Sequence, residues 1–447
     1  MKRNLARRFL VFAVVSGIVA CLAGPALAGG FLLFEQSVKG LGNAFAGGAA
    51  VAEDATTIFY NPAGITRLPG SQFEFGAHYI IPSAEFDNKG STTSPLVGGA
   101  PLTGGDGDDA GVAAVVPHLY YAQEITDKFH AGIGINSPFG LETDYDKGWV
   151  GRYHALKSRL LTINFNPSLA FKVNDLMSVG AGFNAQYFDT KLTNAVDFGT
   201  IGAIGGAGTI PQTLDGLAQV QGDDWGFGYN FGFLVTPTDN FRLGFAYRSA
   251  IDFKVDGEAD FSTPAPAIPL AVATGLVDTD AKADITLPAT ASLSAYWQIH
   301  RKWAIMGDIF WTQWSQLDEI RIELDTGPEV VTTLKWKDTL RYALGVSYFH
   351  DPQWTFRIGT AFDETPIPNA RRRTPRIPGN DRIWATVGAS YRFSERLGVD
   401  LAYAHLFVDD PEIRKSGTDP EDVTRGALRG DYDAGVNIVS AQVSWQF

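Results

Sequence analysis

The chain has 447 residues, of which 45% are apolar and only 19% charged, and its formal net charge is −13. That acidic balance excludes a nucleic-acid partner, because phosphate binding needs a basic face. Past residue 28 no apolar run approaches the roughly 18 residues of a membrane-crossing helix, which excludes a helical membrane protein.

Residues 1–28 read as a secretory leader. Lys2, Arg3, Arg7 and Arg8 make a basic start, Phe9 to Leu22 is apolar, and Ala26-Leu27-Ala28 is a small-residue cleavage site. Cleavage there takes the net charge from −13 to −17 and removes Cys21, the only cysteine. Ile18-Val19-Ala20-Cys21 is loosely similar to a lipoprotein cleavage site, which stays open as a rival. A mature chain without thiols excludes disulfides, thiolate metal sites and Cys nucleophiles.

Residues 29–70 lack alternation and are rich in Gly and Ala, with short helical turns expected around 37–48 and 54–60. Phe31, Leu32, Leu33, Phe34, Ile58 and Phe59 are too apolar to leave in water, so the stretch is expected to pack inside something. From residue 72 onward the pattern changes to strict period two. Leu161, Ile163, Phe165, Leu169 and Phe171 alternate with polar residues. So do Phe241, Leu243, Phe245, Tyr247, Ile251 and Phe253, and again Val439, Ala441, Val443, Trp445 and Phe447. Such runs are strands with one apolar and one polar face.

Fourteen strands are expected: 72–82, 113–124, 128–138, 159–173, 176–189, 225–237, 240–254, 286–300, 302–315, 336–350, 353–364, 381–393, 397–408 and 434–447. Tight turns at 125–127, 174–175, 238–239, 300–301, 350–352 and 394–396 alternate with long excursions. Short turns on one rim and long loops on the other mark an outer-membrane barrel with extracellular loops and periplasmic termini. Trp303, Trp311, Trp314 and Trp445 near strand ends suit interfacial girdles. The fold class is therefore an all-β, fourteen-stranded antiparallel transmembrane β-barrel. A barrel of this width needs a plug or becomes a pore, and residues 29–70 supply a hatch, with 71–447 as barrel and loops.

Three further features bear on function. Gly132, Gly134 and Pro138 interrupt the third strand and predict a kink or bulge, since Pro cannot donate to the ladder. Two long loops are unusually greasy. One carries Ile201, Ile204, Ile210, Leu214, Leu217 and Val220, with Ile210-Leu214-Leu217 at helix-like spacing; the next carries Ile268, Leu270, Val272, Leu276 and Val277. Arg242, Arg248, Asp252, Asp308, Arg341, Arg357, Asp363, Arg382, Arg392 and Asp400 fall on the inward parity, where ion pairs and hatch contacts are expected. The Arg371-Arg372-Arg373 run reads as a solvated or lipopolysaccharide-phosphate contact. The seven His are dispersed, with no HExxH, GxSxG or phosphate loop, so no enzyme and no cofactor or metal is expected.

GLGNAFAGGAAVAEDATTIFYNPAGI in 40–65 resembles the hatch of the FadL-type transporters of long-chain fatty acids and hydrocarbons in Gram-negative outer membranes. SPFGLETDY (137–145), GRYHALKSRLLTINFNPSLAFKV (151–173), the Tyr-Arg-Ser at 247–249, DETPIPNARRRTPRIPGNDRIW (363–384) and the final strand extend the resemblance from about residue 29 to 447. It implies a fourteen-stranded barrel with an N-terminal hatch, and passive transport of hydrophobic molecules by a monomeric unit without energy coupling. It also implies that the two greasy loops form an external capture groove, and that Asn61, Pro62 and Ala63 sit at a lateral exit beside the kinked third strand. Phe31 joins the loop residues as a candidate substrate contact. Expected partners are hydrophobic small molecules, lipopolysaccharide and phospholipid; the barrel is expected to be a monomer.

Leaving water is worth roughly 10 kcal/mol to a sixteen-carbon chain, at about 0.8 kcal/mol per CH₂, so a carrier must offer successive apolar sites of modest difference. Long-chain fatty acids, monoaromatic hydrocarbons and alkanes are all compatible with such a route. A general pore for polar solutes and a surface interaction protein are the rivals from other classes.

Overall fold

The computed structural model describes residues 30–447, so the leader expected at 1–28 lies outside the described residues. Fourteen antiparallel strands close into a barrel, in the number and order expected. They are β1 (Ser71–Asn88), β2 (Ala114–Glu124), β3 (Phe129–Asn136 resuming at Gly140–Asp144), β4 (Lys157–Lys172) and β5 (Met177–Asp197). Next come β6 (Asp215–Thr238), β7 (Phe241–Arg248 and Ile251–Ser262), β8 (Thr279–Leu287 and Thr290–His300), β9 (Trp303–Thr312) and β10 (Thr339–Phe349). The last are β11 (Trp354–Asp363), β12 (Arg382–Arg392), β13 (Leu397–Val408) and β14 (Arg429–Gln446). β14 closes on β1 in register from Gln72↔Gln446 to Asn88↔Gly430, so no edge is left unpaired there.

The polarity of the wall is inverted relative to a soluble protein. Along β14 Val439 and Trp445 are 52% and 55% exposed, while Ser440 and Gln442 are buried at 2% and 1%. Apolar side chains stand outward where acyl tails cover them, and polar ones face the filled lumen.

Several strands run beyond the expected ends and convert much of the long loops into sheet. β1 continues through Pro82, which pairs with Val436 of β14, whereas its ladder with β2 ends at Ile80↔Ala114. Proline is tolerated there because the β2 side needs no donor. The 190–224 segment is mostly strand, with a helix α4 (Phe198–Ile204) at its tip, and a second helix α5 (Ile268–Thr274) follows β7. Ile210-Leu214-Leu217 is not helical. Ile210 and Leu214 lie in the irregular stretch before β6 and Leu217 lies within β6, so the spacing there is coincidental.

β7 changes faces midway. Arg242, Ala246 and Arg248 point inward on even numbers, but beyond Ser249-Ala250 it is Ile251, Phe253 and Val255 that are buried. The partner register on β6 slips by one, from Asn230↔Arg248 to Asp223↔Asp256, the mark of a bulge. β8 makes the same change across Pro288-Ala289. A one-residue slip exchanges the two faces of a strand, so the lumen wall turns from polar to apolar at this height. Asp252 is consequently exposed on the outside, against the inward parity expected of it, and Arg392 is exposed at the end of β12. Trp314 also departs from expectation. It follows the inward-facing Thr312, turns into the lumen and is 1% exposed, so it belongs to no girdle.

The segment from Gly30 to Arg67 fills the barrel. It forms α1 (Val38–Gly42), α2 (Gly48–Val51), α3 (Thr57–Tyr60) and a 3₁₀ turn (Pro62–Arg67). Val38, Leu41, Ala44, Phe45 and Ala50 pack against Tyr296, Met306, Trp384 and Leu406 of the wall. Polar side chains of the wall hold its backbone: Arg242 Nε donates to Ala50 O (2.9 Å) and Arg341 Nη2 to Ala44 O (2.9 Å). Ion pairs add Lys39–Asp54 (3.0 Å), Lys39–Asp400 (3.7 Å) and Arg357–Glu53 (3.1 Å).

Candidate functional site

Above the hatch the barrel opens into a vestibule. Its wall is apolar because of the face change in β7 and β8: Phe188, Val255, Ile285, Ile320 and Leu324 line it. Among the loop residues singled out in the sequence, Ile201, Val220 and Leu276 reach this cavity. Ile201, Leu214, Leu270 and Leu276 pack around Phe198, Ala267 and Ala271, joining α4 to α5. Ile204, Ile210, Leu217, Ile268 and Val272 remain exposed, and Val277 is half-buried.

Phe31 forms the vestibule floor. Its ring lies 5.0 Å from Trp314, 6.0 Å from Phe139 and 5.9 Å from Trp336, centroid to centroid. Backbone bonds fix this aromatic partition to β3: Leu33 N donates to Pro138 O (2.8 Å) and Gly140 N to Phe31 O (3.0 Å). Gln36 Nε2 donates to Ser137 O (2.8 Å). At Gly30 a Cβ would fall 2.6 Å from the Trp314 ring, so only glycine lets the chain pass.

Below the partition is a second, smaller chamber, lined by Leu33, Phe34, Phe59, Tyr60, Pro138 and Phe310 among others. Arg248 and Arg341 also line it. Arg248 Nη2 donates to Phe59 O (3.1 Å) and its Nη1 contacts Asn184 Oδ1. Arg341 stands 4.4 Å over the Phe34 ring and 4.9 Å over Trp384, with Nε unpartnered. Among the described residues neither guanidinium has a carboxylate within ion-pair distance. The nearby Asp308 accepts from Ser292 Oγ (2.8 Å) and from Ser294 instead. Two buried cations with no carboxylate in ion-pair contact, walled by apolar rings, make a site that an anionic head with a greasy tail would complete.

The wall is open beside this chamber. The β2–β3 ladder stops at Leu119↔Ile135, and β2 and β3 rejoin only through the Gly111↔Thr143 bridge. On its other side β3 slips against β4 from Asn136↔Asn164 to Gly140↔Leu161, one extra residue across Ser137-Pro138-Phe139. Gly132 is pressed on Ile58 and Gly134 on the Tyr120 ring, where any Cβ would clash.

Asn61, Pro62 and Ala63 are placed differently from one another. Asn61 is fully buried; its Nδ2 donates to Ala49 O (2.6 Å) and Phe233 O (3.0 Å), and its Oδ1 accepts from Ala63 N (3.0 Å). Gly180 and Gly232 of β5 and β6 give it room, since a Cβ at Gly180 would meet Pro62 C at 2.4 Å and one at Gly232 would meet Asn61 Oδ1 at 2.0 Å. Asn61 and Ala63 thus anchor the hatch on the β5–β6 wall. Only Pro62 reaches the chamber that Pro138 also lines. Sequence reasoning passed over Trp336 and the partition, and it put Arg248 and Arg341 in a list of inward charges without singling them out; Tyr-Arg-Ser at 247–249 was the available signal.

Residues 19–447 match the family described as outer membrane protein transport protein (OMPP1/FadL/TodX). The chain belongs to this family. A long-chain fatty acid transport protein of Salmonella typhi is 32% identical over 410 residues, covering 89% of this chain and 92% of the relative. The crystal structure of a Pseudomonas aeruginosa FadL homologue superposes with a TM-score of 0.88 at 28% identity, over 94% of this chain and 100% of that one. The P. putida toluene transporter TodX shares the fold, with a TM-score of 0.66 at 18% identity over 88% of this chain and 94% of that chain. The family is one of outer-membrane transport proteins, and membership places the chain in that membrane with its hatch inside the barrel.

Proposed function

We propose that this barrel carries long-chain fatty acids passively across the outer membrane. The acid enters the vestibule, passes the Phe31 partition, rests in the lower chamber with its carboxylate on Arg248 and Arg341, and leaves sideways between β2 and β3. The observation that carries the reading is the pair of guanidiniums outside any ion-pair contact, in a chamber walled by apolar rings beside an interrupted ladder. The fatty-acid names of relatives at 32–34% identity support it. The barrel acts without catalysis, cofactor or energy input, as a monomer bounded by phospholipid and lipopolysaccharide, once residues 1–28 are removed and 29–70 have folded as the hatch.

A second reading, uptake of monoaromatic hydrocarbons by the same route, is favoured by the ring-lined partition of Phe31, Phe139, Trp314 and Trp336. One experiment separates the two. Cells whose only such barrel is this one are given labelled palmitate or labelled toluene, with the wild-type chain or with R248Q/R341Q. Loss of palmitate uptake with toluene uptake intact supports the fatty-acid reading. Equal uptake of palmitate by both proteins overturns it.

A further inference from the structure

The hatch carries a buried acid that the route above does not use. Glu35 is 4% exposed, takes part in no ion pair among the described residues, and its carboxyl receives a hydrogen bond only from its own backbone N–H. Both of its sequence neighbours touch the path. Phe34 lies under the Arg341 guanidinium at 4.4 Å, and Gln36 Nε2 donates to Ser137 O (2.8 Å) at the interruption of β3. The charges that act on the Glu35 carboxyl come from three wall strands, as Arg382, Arg341 and Asp363. They form a row across the sheet. Arg341 on β10 is opposite Asp363 on β11, Asp363 is opposite Arg382 on β12, and Arg382 and Asp363 make an ion pair of 2.9 Å. Within the hatch the titratable neighbour is Tyr60, whose hydroxyl donates to Phe34 O (2.8 Å).

Three guanidiniums and three carboxyls thus meet in and beside the lower chamber: Arg248, Arg341 and Arg382 against Glu35, Asp308 and Asp363. With all six ionised the empty chamber is neutral. The carboxylate of an incoming acid puts one negative charge in excess, in a volume where an unmatched charge is costly. One proton restores the balance, and the three acids are not equally placed to take it. Asp363 is matched by Arg382, and Asp308 by the two serine hydroxyls that donate to it. Contacts of both kinds favour a charged carboxylate, and Glu35 has neither. Burial pushes its carboxyl up to about 7, against the pull of its own N–H, Arg382 and Arg341.

We propose that Glu35 is the exchangeable counter-charge of the lower chamber: it takes a proton from water as an acid's carboxylate settles on Arg248 and Arg341, and returns it to water when the acid leaves. The inference rests on the fatty-acid reading and adds a proton to it. The O–H bond formed at Glu35 on entry is broken again on release, and the chamber holds no net charge at either stage. An ester or a hydrocarbon settles there without a proton. Acid binding is then fullest below about 7, where Glu35 is protonated, and weakens as pH rises past that value.

Calorimetric titration of the complete barrel in nanodiscs, at pH 8 in two buffers of different ionisation enthalpy, counts the protons taken up with laurate, whose own carboxyl is ionised throughout. Wild type is expected to take up about 0.9 proton per laurate bound in the chamber, the ionised fraction of a group near 7, and E35Q close to none. E35D is expected to restore uptake, and methyl laurate to bring in no proton with any of the three. Between pH 6 and pH 8 the laurate affinity of wild type is expected to fall about tenfold, and that of E35Q to stay level. Heat-modifiable gel mobility verifies that each variant is folded. A wild-type count near zero, or a count that survives in E35Q, overturns the inference. Failure of the fatty-acid reading looks different: R248Q/R341Q then leaves palmitate uptake by cells unaltered.

Discussion

The contact between the hatch and β3 can be locked. Leu32 and Phe139 face each other as an antiparallel bridge flanked by the Leu33–Pro138 and Gly140–Phe31 backbone bonds. This is the non-hydrogen-bonded geometry, in which Cα atoms stand about 4.5 Å apart, within disulfide range. Cys21 is the only natural cysteine, so Leu32→Cys with Phe139→Cys makes one defined bridge in the mature chain. Two backbone bonds at about 1 kcal/mol each and three ring contacts of Phe31 at about 0.5–1.5 kcal/mol each hold the partition shut. At about 1.4 kcal/mol per tenfold, the passage is open in roughly one molecule in 10³ to 10⁵. The reduced variant lacks the Phe139 ring, which removes about 0.5–1.5 kcal/mol of this and raises opening about 2- to 13-fold. Uptake of labelled palmitate by whole cells is therefore expected to rise in the reduced variant, fall to background on oxidation, and return with dithiothreitol. An oxidised variant that transports at the wild-type rate would show that nothing passes between Phe31 and β3.

Deleting Pro138 removes the one extra residue of β3 and is expected to restore its ladder to β2; uptake should be lost while gel mobility reports a folded barrel, and unimpaired uptake would refute sideways release. Asn61→Ala withdraws three hydrogen bonds from the hatch anchor, at a cost of about 1–3 kcal/mol; calorimetry should give a lower Tm, and planar-bilayer recordings should show intermittent leaks. Asp422 in the outer loop is held up to about 6, chiefly by burial. Its protonated form is favoured in the folded loop, so stability present below an unfolded value near 3.8 is lost as pH rises through about 6. Asp422→Asn is expected to slow amide exchange over 415–428 at pH 7.5 and to leave it unchanged at pH 3.5; an effect of equal size at both would refute the titration.

Most of the barrel was legible because lipid imposes a hard rule. Each strand must be apolar on one face, and six short turns punctuated the repeats, so number, order and plug followed. The upper lumen was not legible, for a specific reason. Across 241–253 the apolar residues keep odd numbers without a break, yet the bulge at Ser249-Ala250 sends Phe245 outward and Phe253 inward. Alternation in sequence records which residues share a face only while the backbone stays regular. The partition was missed because Trp314, read as a rim tryptophan, needed a turn after Thr312 that leaves no local composition signal.

The bulge in β7 also marks where the hydrocarbon ends. Below it the outward residues are Phe241, Leu243, Phe245 and Tyr247; above it Asp252, Lys254, Asp256, Glu258 and Asp260 take their place, all exposed. A single inserted residue therefore does two jobs at one height: it greases the inside and wets the outside. From that waterline the upper half of β7 rises roughly 40 Å along the strand, at about 3.3 Å per residue. An oily molecule inside this upper section meets the apolar face, while the charged one stays outside it.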